Sequence, residues 1–281
     1  MKTSTALFND INRNRWHLIK HYATEIVLTG FALLLFNSIN VTHFINANNI
    51  LTMIISSVLA IIVGAFLASA IHNASHDNFS NVYKNRFFGE ISGYWVLYGF
   101  QNFLMIHHLH HRYSDTEFDP VNPKDMSFFV FLSAPMRYMI QTTKLYLRSV
   151  HGKNADYQKI MNTQTVLFNI LIILRLTAWF ILLGPVFFVS FYLVGVFTTI
   201  FLFAHINYNC HRELEDGSVE VLNLDHNLYY KIANFLTLGG YYHKNHHINL
   251  KVFNPKYLFT KKTYHPYFTV TKMSKVSAES A

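Results

Sequence analysis

Three clusters of histidine at helical spacing constrain this chain more than any other feature of its sequence. Residues three and four positions apart share one face of an α-helix, so each cluster can direct two or three imidazoles at one point. Neutral imidazole is a ligand for iron, zinc, copper and nickel. The eight imidazoles exceed what one ion needs and suit two ions that share a site. The clusters consist of His72 and His76, of His107, His110 and His111, and of His243, His246 and His247.

Isolated histidines carry less information, because a lone histidine in an apolar chain is more often a packed core or interface residue than a ligand. Three clusters at repeated spacing are not explained in that way. His108 lies between ligand positions and is expected to point away, and His226 has no partner at ligand spacing. We interpret five isolated histidines as such packed residues: His17, His21, His43, His151 and His265.

The composition indicates an integral membrane protein. Of the 281 residues, 51% are hydrophobic and only 14% are charged, whereas about a quarter are charged in soluble proteins. The net charge of +8 is not gathered into a patch with a nucleic-acid motif, so nucleic-acid binding is not predicted. The single cysteine, Cys210, excludes an intramolecular disulfide. No early apolar core precedes a cleavage site, so a removed signal peptide is not expected.

Four stretches approach the length of about 20 apolar residues that a bilayer crossing needs. We therefore expect an all-α integral membrane fold in which four transmembrane helices form two hairpins beneath a cytoplasmic helical cap that carries the histidines. The shorter stretches 91–106 and 128–136 fit re-entrant or interfacial helices, since a crossing at 91–106 would separate the first two clusters. The predicted spans lie at about 26–45, 51–71, 166–183 and 187–208, with a break at Gly184 and Pro185.

Lysine and arginine lie almost entirely on one side of this arrangement. Four lie in a surface segment at 1–22, nine at 72–160 and nine after Cys210. The positive-inside rule places 72–160 and 209–281 in the cytoplasm. We expect a single domain over 1–281, in a bacterial inner membrane rather than the endoplasmic reticulum. The exception is Arg175, inside a span, for which a structural pairing, for example with Glu25, is favoured over a functional role.

The clusters and their flanking residues resemble the membrane fatty acid desaturase/hydroxylase superfamily. The second cluster continues into an acidic Asp-Pro over residues 107–120 (HHLHHRYSDTEFDP), as that family's second box does. The element NYNCH at 207–211 resembles the family's N-Y-x-x-H, and GGYYH at 239–243 leads into the third cluster. The similarity extends over about residues 50–260, and the ordered set of boxes is far more specific than any single box.

The resemblance implies a non-haem di-iron centre held by the eight cluster histidines, with O2 as co-substrate. It implies His211 as a ninth ligand and Asn207 near the metal through water. His205, which is six residues earlier on another face of the same helix, is the alternative ninth ligand. No catalytic residue beyond the ligands is expected.

Carboxylates in the same segments are candidates for orienting these imidazoles, because a metal-bound imidazole usually donates its second N–H to a carboxylate or a carbonyl. The alternative is that each is a solvated loop charge or a helix cap. The candidates are Asp77, Asp115, Asp119 and Asp225.

The resemblance implies O2-dependent oxidation of a C–H bond in a lipid. The H-x3-H first box with N-Y-x-x-H resembles acyl-chain desaturases more than alkane hydroxylases, whose boxes carry additional glutamates. We predict a fatty acyl desaturase, with a lipid hydroxylase or ketolase as the alternative. A metal transporter would keep its ligands near mid-membrane, and a haem protein would need paired axial histidines in facing spans, so both are less favoured.

The expected partners are a lipid or acyl-thioester substrate and a separate electron donor. The chain has no His-Pro-Gly-Gly haem motif and no cysteine set for an iron–sulfur cluster. A ferredoxin, a rubredoxin or a cytochrome b5-type protein is therefore expected to supply electrons.

Overall fold

The computed structural model describes residues 1–39, 50–116, 118–123, 126–133, 135–214 and 218–258, and these ranges are mostly helical. The predicted all-α class needs one correction, since a two-stranded antiparallel sheet, β1 (His211–Glu213) and β2 (Val219–Val221), pairs His211 with Val221. The helices are α1 (Ser4–Arg13), α2 (His17–Ile39), α3 (Ile50–Ser75), α4 (Val82–Trp95), α5 (Phe100–Tyr113), α6 (Phe128–Ser133), α7 (Pro135–His151), α8 (Ala155–Phe187), α9 (Val194–Cys210), α10 (Leu228–Leu236) and α11 (His243–Ile248).

Three helical regions are long and apolar enough to cross a membrane: His17–Leu35, Ile50–Ser75 and the 56-residue region Ala155–Cys210. The first of these regions begins nine residues before the predicted span. Its polar first turns belong to α2 because they contact other parts of the protein, as where His17 Nε2 lies 2.8 Å from Gln101 Oε1 of α5. Residues 40–45, the end of the predicted first span, lie outside the described residues.

The 56-residue region folds back on itself at Gly184. Trp179 and Tyr192 would lie about 20 Å apart along a straight helix, yet their ring centroids are 5.0 Å apart. Gly184 has φ 69° and ψ 168°, a conformation outside the helical region, and Pro185 follows it. A π-helical segment, Phe188–Leu193, then leads into α9. The predicted break at Gly184 and Pro185 is therefore present as a reversal of chain direction.

The long helices pack in pairs, α2 against α8 and α3 against α9. The second pair approaches closely because glycines face each other. A Cβ atom on Gly64 would lie 2.3 Å from the carbonyl oxygen of Gly195, which no side chain tolerates. Thr199 Oγ1 also donates to the Gly64 carbonyl at 2.8 Å. This pairing fixes the end of α3, from which the first histidines project.

The stretch 91–106 forms the facing ends of α4 and α5, joined by a turn at 96–99, rather than one crossing helix. Arg175, only 1% exposed, holds this turn from α8 by donating to the Leu97 carbonyl and pairing with Glu25 at 2.5 Å. Gly99 has φ 79°, and a Cβ there would lie 3.0 Å from the Arg175 guanidinium. The predicted pairing of Arg175 with Glu25 is confirmed.

Replacing Arg175 by methionine should destabilise the protein by about 3 kcal/mol, because it leaves the largely buried Glu25 carboxylate without its partner. The double variant Arg175→Met, Glu25→Gln should recover much of this loss. Arg212→Met is the matched control, since its pair with Glu220 is exposed and contributes at most about 1 kcal/mol. Chemical unfolding in mixed micelles measures all three, and equal stability of the two arginine variants would contradict the prediction.

The N-terminal residues form more than a surface segment. Leu7 and Ile11 of α1 are buried, and residues 17–22 belong to the long helix α2. The Ser4 backbone N–H donates to both carboxylate oxygens of Asp77, at 2.9 and 3.1 Å. α1 packs against the end of α3, because its apolar face and this contact anchor it there. The position of residues 1–22 at the membrane surface stays a prediction.

Candidate metal centre

The histidines lie at the ends of the helices that the long pairs position. His72 is in the last turn of α3 and His76 directly follows it, whereas α5 carries the second cluster along one side. α11 is a short helix that presents the third cluster. His211 is the first residue of β1, where the chain leaves α9, and pairing of β1 with β2 fixes its backbone.

The side-chain nitrogens converge into two groups, within each of which the candidate ligand atoms lie within 4.8 Å of one another. Ring centroids of His111 and His247, one from each group, are 4.8 Å apart, so the groups adjoin. The five-histidine group consists of His72, His76, His107, His111 and His246, and the four-histidine group of His110, His211, His243 and His247.

Spacing within the groups fits first-row metal ions. Two imidazole nitrogens at about 2.1 Å from one ion and at right angles to each other lie about 3 Å apart. In the five-histidine group, Nε2 of His246 lies 3.1 Å from Nε2 of His72 and 3.0 Å from Nε2 of His111. In the four-histidine group, Nε2 of His243 lies 3.0 Å from Nε2 of His211. The donor sets therefore suit one ion each.

A buried nitrogen without a partner also indicates a ligand. His110 is 2% exposed, and its Nε2 has no hydrogen-bond partner among the described residues. A buried polar atom left unpaired is costly, and a metal ion bound at Nε2 removes that cost. His110 is a member of the four-histidine group.

Burial keeps most of these imidazoles neutral. Desolvation, aided by the neighbouring imidazoles, holds the pKa of His107, His243 and His246 well below its usual range. The same holds for the pKa of His76, His111 and His247. Neutral imidazole is the form that binds metal, so these six imidazoles offer their lone pairs without first losing protons at neutral pH.

Two carboxylates contact the four-histidine group. Nδ1 of His110 lies 3.0 Å from both oxygens of Asp119, which is 1% exposed. Nδ1 of His211 lies 2.7 Å from Asp115 Oδ1. Burial opposes a charged His110, but the Asp119 carboxylate outweighs it and raises the pKa of His110. The pKa of Asp115 is lowered despite burial, because His211 donates to it.

These contacts fix which nitrogen of each imidazole faces inward. A proton held at Nδ1 by the carboxylate leaves Nε2 free to bind metal. Asp119 is itself held by the backbone N–H groups of Asp115 and Val121, at 3.0 and 2.9 Å. Among the described residues, no carboxylate contacts an imidazole of the five-histidine group, so the two groups differ in their electrostatic environment.

The other two candidate carboxylates lie elsewhere. Asp77 accepts hydrogen bonds from the backbone N–H of Ser4. Asp225 accepts a hydrogen bond from the Tyr242 hydroxyl at 2.9 Å. Neither contacts a cluster histidine in the described structure, so neither orients one directly.

The structure separates the two candidates for a ninth ligand. His211 joins the four-histidine group, whereas Nδ1 of His205 lies 2.8 Å from the Tyr241 hydroxyl and outside both groups. Asn207 lines the adjoining cavity, and its Oδ1 is buried without a partner among the described residues. His108 turns away as predicted, with Nε2 lying 3.1 Å from the Ser75 carbonyl oxygen.

A cavity of about 450 Å³ adjoins the histidines, within the range of sites that bind small molecules. Its walls are mainly apolar side chains from α2, α5, α7, α8 and α9, and they include His72, His107, His110, His243 and His246. Sequence reasoning missed the polar residues of this wall, such as Thr143 and Lys144 of α7. No local motif marks them, because only the packing of α7 brings them to the cavity.

Comparison with known families decides the relationship. A family model described as fatty acid desaturase matches residues 48–263, which include both histidine groups and most of the residues that line the cavity. The chain belongs to the fatty acid desaturase family. The resemblance read from the boxes is thereby confirmed, and the histidine groups are consistent with the di-iron site of such desaturases. No curated protein and no solved structure matches the chain significantly.

Proposed function

We propose that this protein is a membrane-bound, O2-dependent fatty acyl desaturase that introduces a double bond into a lipid acyl chain. The observation that carries the proposal is the meeting of two histidine groups with an apolar cavity inside a desaturase-family chain. The nine histidines of the two groups are the proposed ligands of two iron ions. Asn207 is proposed to approach the metal through water, because its unpaired carbonyl oxygen lies at the same cavity.

Two iron ions bound at these groups supply the activation of O2 and the removal of hydrogen from unactivated C–H bonds. The residues of the chain prepare the site for that chemistry. Asp119 and Asp115 hold protons at Nδ1 of His110 and His211, which directs Nε2 of each inward. Phe103 stacks on His107, with ring centroids 5.2 Å apart, and belongs to the apolar wall that holds an acyl chain and excludes water.

We propose a topology of four membrane crossings. The reversal at Gly184 divides the 56-residue region, which gives four crossings in two hairpins with α2 and α3. The nine histidines of the two groups then lie on one side, the cytoplasmic side by the distribution of lysine and arginine, and the chain is one domain over 1–281. A bacterial inner membrane fits this orientation. Reporter fusions at the N terminus and within the loop after α7 should give the same cytoplasmic signal, and opposite signals would contradict the topology.

Expression in a host with simple lipids should yield a fatty acid with two fewer hydrogens than its saturated parent. Mass spectrometry of total fatty acids detects this product, and the matched control is a His246→Ala variant expressed at the same level. A product that instead gains one oxygen, without any unsaturated product, would identify a hydroxylase. The apolar wall beside the histidines fits both outcomes, so the product itself decides between them.

Turnover should require a separate electron donor. Activation of O2 needs electrons from outside, and the chain carries neither a haem motif nor a cysteine set for an iron–sulfur cluster. Purified protein with NAD(P)H alone should form no product, and addition of a ferredoxin, rubredoxin or cytochrome b5 system with its reductase should start the reaction. Product formation without any donor protein would disprove this requirement.

A further inference from the structure

The cavity opens on a face of the protein that carries exposed apolar residues. Ile140 of α7 and Asn169 of α8 both line the cavity and are themselves exposed, Ile140 by 39%. On α8, Asn169 is flanked by Val166 and Ile170, which are 57% and 40% exposed. Such a surface on a long apolar helix is a lipid-facing surface. The opening between α7 and α8 therefore leads from the cavity into the bilayer.

A cation lies at this opening. Lys144 is one helical turn from Ile140 on the same face of α7, lines the cavity and is half-buried. It is the only side chain with a permanent charge among the described residues that line the cavity, and it has no ion-pair partner in the described structure. Beside it, Thr143 Oγ1 is buried and has no hydrogen-bond partner among those residues. An ammonium and a hydroxyl are thus both free at one edge of an apolar cavity.

The charge at the opening, and the fact that the opening faces lipid, indicate which molecule carries the acyl chain into the cavity. A coenzyme A thioester carries several phosphates and reaches the protein from water, so it would need several cations at an entrance that faces solvent. Among the described residues that line the cavity, Lys144 is the only cation, and it lies beside an entrance that faces lipid. One phosphate joined to an acyl chain already in the bilayer matches both features.

We propose that the substrate is an acyl chain of a membrane glycerophospholipid, which enters laterally between α7 and α8 while its phosphate pairs with Lys144. This inference rests on the proposed function, because it names the carrier of the chain that the desaturase acts on. Lys144 and Thr143 are headgroup-binding residues on this account. Ile140 and Asn169 form the sides of the entrance.

Photolabelling tests the entrance without turnover. Wild-type protein in nanodiscs receives one of three probes with the same diazirine-bearing acyl chain: a phosphatidylglycerol, a diacylglycerol or a coenzyme A thioester. Peptide mass spectrometry should locate phosphatidylglycerol adducts on the cavity walls of α5, α7 and α8. The two other probes should label these peptides several times less, because one lacks the phosphate and the other enters from water.

Substitutions test the role of the Lys144 charge and the role of the opening between α7 and α8 independently. Lys144→Gln should lower cavity labelling by phosphatidylglycerol about fivefold, as expected for a lost charge-assisted contact. Lys159→Gln, an exposed position of α8 that does not line the cavity, should leave it unchanged. Asn169→Trp should block the opening and abolish labelling, whereas Val166→Trp on the same helix should not. Thermal unfolding checks that each variant is folded.

Two outcomes overturn the inference: stronger cavity labelling by the thioester than by phosphatidylglycerol, or wild-type labelling in folded Lys144→Gln. Its failure is distinguishable from failure of the proposed function. If desaturated fatty acids form but labelling does not depend on Lys144, only the inference falls. If labelling behaves as expected but no desaturated product forms with a donor system, the entrance stands and the proposed function falls.

Discussion

Replacing His110 or His246 by alanine should remove iron and abolish desaturation. Each residue belongs to a different histidine group, and each lies at 2% exposure or less, so no water-exposed side chain can take its place. Loss of even a hydrogen-bond partner of a ligand costs about 10- to 100-fold in metal affinity or activity. Loss of the ligand itself should cost at least about 100-fold in product formation.

The measurement pairs metal analysis of purified protein with fatty acid mass spectrometry. The wild type should contain iron without a haem absorption band, and each variant should contain clearly less iron. His226→Ala is the matched control, because His226 is exposed and its only described hydrogen bond joins it to neighbouring Asn227. Full iron content and activity in the His110 and His246 variants would refute the metal assignment.

The sequence was informative where its signal is local. Spacing of three and four residues places side chains on one helix face, and the clusters do lie at the end of α3, on α5 and on α11. Gly184 with Pro185 marks the chain reversal, since a positive φ followed by a proline ends a helix. The pairing of Arg175 with Glu25 was predictable because a charge inside a span needs a partner.

The division of the histidines between the two groups was not predictable from spacing. His110 and His111 are adjacent in sequence, yet they belong to different groups, since successive residues on a helix point about 100° apart. Which group each one joins depends on where α3, α11 and β1 lie around α5. That placement comes from packing of the long helices, which no local pattern records.

The residues that line the cavity could not be predicted from the sequence either, because the packing of the helices brings them together. Lys144 lies in a stretch of mixed polar and apolar residues, and nothing in its neighbours distinguishes it from the other lysines on the cytoplasmic side. Among the carboxylates, the sequence left Asp77 and Asp119 equally plausible. Contacts over several elements distinguish them, since Asp77 reaches α1 whereas Asp119 reaches His110.

Asp119→Asn should therefore lower iron affinity about 10- to 100-fold, the range for orienting partners of metal-bound histidines. The amide loses the charge that stabilises the Nδ1 proton of His110. In the wild type, both carboxylate oxygens of Asp119 accept hydrogen bonds from backbone N–H groups. In the variant, the NH2 group of asparagine takes the place of one of these oxygens. The asparagine NH2 group and a backbone N–H group, both donors, then face each other at a position that is 1% exposed, and no described residue offers either of them another acceptor.

Asp77→Asn is the matched control, because its carboxylate contacts the backbone of Ser4 rather than a cluster histidine. Iron titration of apoprotein in detergent measures both variants, and thermal unfolding shows whether each is folded. Iron binding in Asp119→Asn should weaken mainly at the four-histidine group, which contains His110 and His211, so the high-affinity stoichiometry should fall towards one ion. Equal iron affinity in the two folded variants would show that Asp119 does not orient a ligand, since the two substitutions are chemically identical and differ only in what each side chain contacts.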